Sequence, residues 1–187
     1  MDVAPIGEDG TLHRWAETRK GEGLPQSPLS FRVGFGYDIH RLVPGRPLLL
    51  AGIEIPFDRG LLGHSDGDAV SHAICDAALG AVGLGDIGAQ FSDRDPKWKG
   101  VSGSELLERT RALIGERGAR FHQIDVTVVA EAPRLAPHRD LMIERLRALT
   151  GTELVSVKAR TNEGLGPVGE GQAIQVYAVV LLELAGG

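Results

Sequence analysis

The sequence predicts an α+β fold, a mixed β-sheet with helices covering one face and its other face packed against further copies of the chain. Three observations carry this. Strand-like and helix-like segments follow one another with one hairpin among them, the pattern of a layered mixed sheet. Two long stretches place apolar residues at helical spacing between a start and a stop signal. The last strand-like run, Ala173 to Leu184, is apolar at nearly every residue, and few further helices remain to cover it.

Met1 to Ser30 mixes Gly, Pro, Glu, Lys and Ser with few spaced apolar residues, so residues 1–30 are expected to form a flexible extension ahead of one domain over 31–187. Arg32-Val33-Gly34-Phe35 reads as a short strand that ends near Asp38 and His40. Pro47 to Leu50 and Ile53 to Pro56, joined by Ala51-Gly52, read as a hairpin. A helix follows from Asp68 to Leu84, with Ser65 or Asp66 as cap and Val70, Ile74, Ala77, Ala78 and Ala81 on its apolar stripe. Leu84 to Pro96 is too rich in acids, Gly and Pro for a core element, and such connections often carry function. Ser102 with Glu105 fits a capping box for a helix bearing Leu106, Leu107, Leu113 and Ile114, which Gly118 stops. Ile124 to Ala130 alternates as a strand. A helix with Leu141, Met142, Leu146 and Leu149 runs from Pro137 to Gly151, and Leu154 to Arg160 is a further strand ahead of the last one.

Length and charge restrict the function. A chain of 187 residues suffices for one domain with a real core. A formal charge of -5 and only 5% aromatic residues argue against a nucleic-acid groove. No run is long enough to span a membrane, and the lone Cys75 forms no internal disulfide, so a soluble protein of the cytoplasm is expected.

Asp38 and His40, two apart on a strand, can point to one side, and His72 can join them from the helix. Three such ligands leave a zinc ion its fourth position for water or a substrate oxygen. Asp76, one turn beyond His72, either orients that imidazole or is a plain surface acid. His64 and Ser65 stand at the start of the helix, where backbone amides can hold a phosphate.

Phe35-Gly36-Tyr37-Asp38-Ile39-His40, Leu61-Leu62-Gly63-His64-Ser65-Asp66-Gly67-Asp68, His72, Leu84-Gly85-Asp86-Ile87-Gly88 and Phe91-Ser92-Asp93-Arg94-Asp95-Pro96 together resemble the 2-C-methyl-D-erythritol 2,4-cyclodiphosphate synthase family, from about Arg32 to Leu184. The resemblance implies a homotrimer with active sites between subunits, acting in the non-mevalonate route to isoprenoid precursors. The implied reaction is attack of the 2-phosphate of 4-diphosphocytidyl-2-C-methyl-D-erythritol 2-phosphate on its β-phosphorus, closing a cyclic diphosphate and releasing CMP. It further implies Asp38, His40 and His72 as zinc ligands, Glu163 as ligand to a second ion, Mg2+ or Mn2+, and His64 and Thr161 as stabilisers of the transition state. Substrate contacts are implied for Asp38, Ile39, His40, His64, Ser65, Asp86, Ile87, Gly88, Phe91, Ser92, Asp93, Arg94 and Asp95. Nucleotide contacts are implied for Ala130, Glu131, Ala132, Pro133, Arg134, Leu135 and Ala136, and for Arg160, Thr161, Asn162 and Glu163.

The chain departs from the family pattern at Gly164, Pro167 and Glu170, where Lys, Phe and Arg are common. In the family the last two positions face the trimer axis, where some members bind an isoprenoid diphosphate; a Glu there repels such a ligand. Residue chemistry alone also admits a metal-dependent phosphohydrolase that uses water as nucleophile, or a non-catalytic partner of other enzymes.

Overall fold

The computed structural model describes residues 30–184, so residues 1–29 of the expected extension lie outside the described residues. Its body is a five-stranded sheet of order β4 (Arg59–Leu61), β1 (Ser30–Pro44), β7 (Ala173–Leu184), β5 (Ala119–Val129) and β6 (Leu154–Arg160). The sheet is mixed, because β5 and β6 run parallel while every other neighbouring pair is antiparallel.

The strand expected over four residues at Arg32 runs instead for 15, pairing with β7 from Ser30 opposite Leu184 to Arg41 opposite Ala173. Its inward positions include Gly34 and Gly36, which carry no apolar side chain and so hide the alternation. Their bareness has a packing purpose. A Cβ on Gly34 would sit 1.8 Å from the Ala77 carbonyl oxygen, and one on Gly36 would sit 1.9 Å from that of Ala73. The helix α1 (Ala69–Ala81) therefore lies almost directly on the strand that bears Asp38 and His40.

α1 is shorter than expected at both ends. Its N-cap is Asp68, not Ser65 or Asp66: the carboxylate accepts from the amides of Val70 and Ser71. The same fully buried carboxylate accepts from Ala51 and Gly52, at the turn between β2 (Leu48–Leu50) and β3 (Ile53–Ile55). One acid thus joins the predicted hairpin to the start of α1, and both left-handed residues of the turn, Ala51 and Gly52, lie under it. The Val70 and Ser71 amides are taken by this cap, so the phosphate contact expected here rests on His64 and Ser65 ahead of the helix.

After α1 come the single-turn α2 (Ile87–Gln90) and then α3 (Gly103–Glu116), where the Ser102 hydroxyl accepts from the Glu105 amide as a capping box requires. Glu105 does not close the box; it pairs with Arg109 at 2.7 Å. α4 (Arg139–Thr150) ends at Gly151, whose φ of 77° is the left-handed stop the sequence promises. Leu141 departs from the expectation and is 54% exposed, because Met142, Leu146 and Leu149 form the buried stripe. α1 covers β1 and β7, α3 packs on β5, and α4 packs on β6. A further single turn, α5 (Gly166–Gly169), precedes β7.

Among the described residues nothing covers the sheet's other face. Val33, Phe35 and Ile39 of β1 and Val179 of β7 are exposed, and the rings of Phe35 and Tyr37 lie 6.2 and 5.4 Å from Tyr177. Among the described residues no helix is long and apolar enough to cross a membrane.

Candidate metal centre and active site

β1 and α1 bring Asp38, His40 and His72 together on the covered side of the sheet. Asp38 Oδ2 lies 2.9 Å from His40 Nε2 and 3.0 Å from His72 Nδ1, and the two ring nitrogens are 3.4 Å apart. Ligand bonds of about 2.0–2.1 Å at tetrahedral angles require donor atoms about 3.3 Å apart, so this triangle matches three corners of a zinc site. One carboxylate and two imidazoles suit zinc better than the all-oxygen shells that calcium and magnesium prefer.

The histidines are held from behind. His40 Nδ1 lies 2.7 Å from the Leu62 carbonyl, which can only accept, so Nδ1 carries a hydrogen and Nε2 is the atom that faces the triangle, a donor to Asp38 when protonated and a ligand when an ion replaces that proton. His72 Nε2 meets Ser65 Oγ at 2.9 Å. Burial alone would push the Asp38 carboxyl up, but the hydrogen bonds from both imidazoles outweigh it and hold the group down at about 2. Burial likewise works to lower His40, and the contacts with Asp38 and Leu62 reverse it, leaving the imidazole raised. The centre is therefore built around an ionised acid.

Asp76 does neither thing expected of it. Its Oδ1 accepts from the Ile87 amide at 2.7 Å, tying the connection after α1 to the helix. Burial raises this carboxyl, and the Ile87 bond offsets part of that rise.

A cavity of about 370 Å³ opens beside the triangle. Of the residues expected at the substrate, Asp38, His40, His64, Ser65, Ile87, Gly88, Phe91 and Asp93 line it, as do His72 and Asp76. Trp98, Val101 and Leu106 also line it; no motif marked them, and only their nearness to Phe91 in sequence was a signal. Phe91 and Trp98 pack edge to face at 5.0 Å, giving the cavity an apolar wall. Ile39 alternates to the bare face of the sheet. Asp86 caps α2, accepting from Ala89, while Ser92 and Asp95 accept from the amides of Arg94 and Lys97. Within this chain those residues, with Arg94, stand outside the cavity wall.

The nucleotide segments form a second cluster. Ala130 donates to the Arg160 carbonyl, and Glu131 accepts from the Asn162 amide at 2.8 Å, so residues 130–136 and 158–163 form one unit. Its cavity, about 510 Å³, is lined by Leu135 and Ala136, by Arg139 and Met142 of α4, and by Val157 to Arg160 of β6. Thr161 donates to Glu163 Oε1 at 2.9 Å beyond its rim. Ala132, Pro133 and Arg134 occupy the bend between, with a cis bond at Ala132-Pro133. Asp38 stands opposite Val176, Val176 opposite Val128, and Val128 opposite Ala159, so the two clusters share one end of the sheet. Three strand spacings, about 14 Å, separate them, and no described residue lines both cavities.

A mixed sheet with helices on one face and an open Asp-His-His centre beside a cavity defines a metal-site α+β protein of the enzyme type. The chain belongs to the YgbB family, whose profile matches residues 31–183. It is 51% identical over 154 residues to the 2-C-methyl-D-erythritol 2,4-cyclodiphosphate synthase of Desulfatibacillum aliphaticivorans, covering 81% of this chain and 99% of the relative. A solved synthase of that name in a CDP-bound form superposes with a TM-score of 0.75 at 42% identity, covering 81% of this chain and 99% of the other. The bifunctional IspDF of Campylobacter jejuni gives a TM-score of 0.80 at 37% identity, covering 83% of this chain; this chain spans 43% of that longer protein.

Proposed function

We propose that the chain converts 4-diphosphocytidyl-2-C-methyl-D-erythritol 2-phosphate into 2-C-methyl-D-erythritol 2,4-cyclodiphosphate and CMP, a step of the non-mevalonate route to isoprenoid precursors. The observation that carries this is the Asp38–His40–His72 triangle, pre-spaced for a tetrahedral ion in a chain whose relatives bear that enzyme's name.

The nucleophile needs no strong base. A phosphate monoester has its second pKa near 6, so the 2-phosphate is already largely dianionic at neutral pH. One of its oxygens forms a bond to the β-phosphorus while the bond to the CMP oxygen breaks, and the electron pair leaves with CMP. The difficulty is to bring anions together. Asp38, His40 and His72 would hold zinc, and Glu163 would hold Mg2+ or Mn2+ with the help of substrate oxygens, as such ions accept few protein ligands. Bound there, the two ions supply charge neutralisation and alignment of the diphosphate. The chain's own residues supply the rest. His64, exposed at the cavity rim, offers an N–H donor to the oxygens on which charge builds, and Thr161 turns its O–H from Glu163 to those oxygens when Glu163 holds the ion. Ile87, Gly88 and Phe91 hold the folded erythritol against an apolar wall, which raises the effective concentration of the 2-phosphate. Asp93 gives that pocket its polar edge, and Asp86, Ser92, Arg94 and Asp95 reach the substrate from the connection just outside it. Ala130 to Ala136 and Arg160 to Glu163 surround the cytidine and its phosphates.

A homotrimer completes the site. The bare apolar face supports packing of sheets between copies, as exposed apolar patches do. The gap of about 14 Å between clusters supports a site in which one subunit's metal centre meets its neighbour's nucleotide segment. Residues 31–187 carry this activity in the cytoplasm, and residues 1–30 are accessory.

The test is CMP release. Protein supplied with zinc, magnesium and this substrate should liberate CMP, and His72→Ala should release none while keeping its circular dichroism spectrum; equal release by that variant contradicts the assignment.

A further inference from the structure

The two histidines of the triangle receive their outer partners from one short loop. Leu62 gives its carbonyl to His40, and Ser65, three residues later, gives its hydroxyl oxygen to His72. The loop is itself tied down: Arg46 donates to the Ser65 carbonyl at 3.0 Å, Leu62 donates to the Arg41 carbonyl, and the His64 carbonyl accepts from Gly100.

The two partners are not equivalent. A carbonyl dictates the tautomer of His40, whereas a hydroxyl can either donate or accept. His72 presents Nδ1 to the triangle, so binding a cation there requires its hydrogen on Nε2, facing Ser65. We infer that Ser65 is a positioning residue of the metal centre: its Oγ accepts the His72 Nε2–H and so holds the imidazole in the tautomer whose Nδ1 lone pair faces the ion. Ser65 Oγ also accepts from the Gly67 amide at 3.1 Å. Both lone pairs are then engaged, and the hydroxyl hydrogen is left to donate elsewhere. Ser65 lines the cavity, so that hydrogen is free to donate to an anionic ligand oxygen bound there. One hydroxyl thereby orients the metal ligand and offers a donor to what the metal binds. His72→Gln or any change at the triangle would not reveal this; a change at Ser65 does. The inference rests on the metal reading above and extends it to a residue that touches no ion.

Zinc affinity, measured without substrate by competition with a chromophoric chelator, tests it on the full-length protein. Removing an outer-shell partner of a metal-bound histidine typically weakens binding by about 10–100-fold, and Ser65→Ala should fall in that range while Ser65→Thr, which keeps the hydroxyl, stays within about threefold of the parent. Long-range 1H–15N NMR of the zinc-loaded parent should show His72 protonated on Nε2. Parent-like zinc affinity in Ser65→Ala overturns the inference alone, whereas a His72 proton on Nδ1 of the zinc-loaded parent removes His72 as a ligand and overturns the metal reading with it. A parent protein that binds no zinc overturns the metal reading and this inference with it.

Discussion

Replacing Gly36 by alanine would test how β1 and α1 make the metal centre. The added Cβ would stand 1.9 Å from the Ala73 carbonyl oxygen, which is backbone and cannot swing aside, so strand and helix must separate by about 1.5 Å to reach ordinary contact. Gly36 is two residues from Asp38, and Ala73 adjoins His72. Most of that separation is therefore transmitted to the 3.0 Å gap between Asp38 Oδ2 and His72 Nδ1, which opens toward 4 Å, too wide for two ligands of one tetrahedral ion. Overpacking of this kind costs about 1–3 kcal/mol, and a domain of this size loses about 2–4 °C of Tm per kcal/mol. Gly36→Ala should melt about 2–12 °C lower by circular dichroism. Its zinc affinity should fall further than its stability does, because a displacement near 1 Å at a reacting centre can cost about 100-fold. A variant that melts like the parent and binds zinc equally well would refute the claim that glycine contact sets the ligand spacing.

Asp68→Ala removes the acceptor shared by the Ala51, Gly52, Val70 and Ser71 amides and the Ser71 hydroxyl. Buried donors left unpaired cost about 1–3 kcal/mol each, so with five of them urea unfolding should show a loss of about 5 kcal/mol or more; a loss below about 1 kcal/mol would contradict the role given to this acid. Cys75 is buried, and burial pushes its thiol up to about 12. A buried thiol held in its neutral form is inert, so Ellman's reagent should find no reactive thiol in the folded protein and one per chain in guanidinium; a rapid native reaction would contradict the packing around α1. Phe35→Asp places a charge at the centre of the bare sheet face. Sedimentation should show the parent at three times the chain mass and the variant as monomers, while a variant that remains trimeric would place the contact elsewhere.

Much of the metal site is legible in sequence because its chemistry is local. Asp38 and His40 alternate onto one side of a strand, and a helical histidine follows within reach. The Ala51-Gly52 turn, the Ser102 cap and the Gly151 stop are likewise short-range signals that the structure repeats. What escapes the sequence depends on distant partners. The inward positions of β1 are glycines, so its length is visible only against β7. The three residues of β4 include Gly60 and have strand character only through pairing with Leu42 to Pro44. Asp68 as the N-cap is hidden among the acids and hydroxyls of Ser65 to Asp68, each a plausible cap, until the hairpin amides that share it are in place. The same holds for Asp76, whose partner is the Ile87 amide rather than the neighbouring imidazole, and for Trp98, Val101 and Leu106, which only folding brings to the cavity.

In the proposed reaction the substrate's own 2-phosphate, not water, displaces CMP. Phosphorus NMR of the protein incubated with zinc, magnesium and 4-diphosphocytidyl-2-C-methyl-D-erythritol 2-phosphate tests it directly. The coupled pair of signals of a cyclic diphosphate should grow in step with CMP; CMP accompanied by the open-chain bisphosphate or by inorganic phosphate would instead identify a hydrolase.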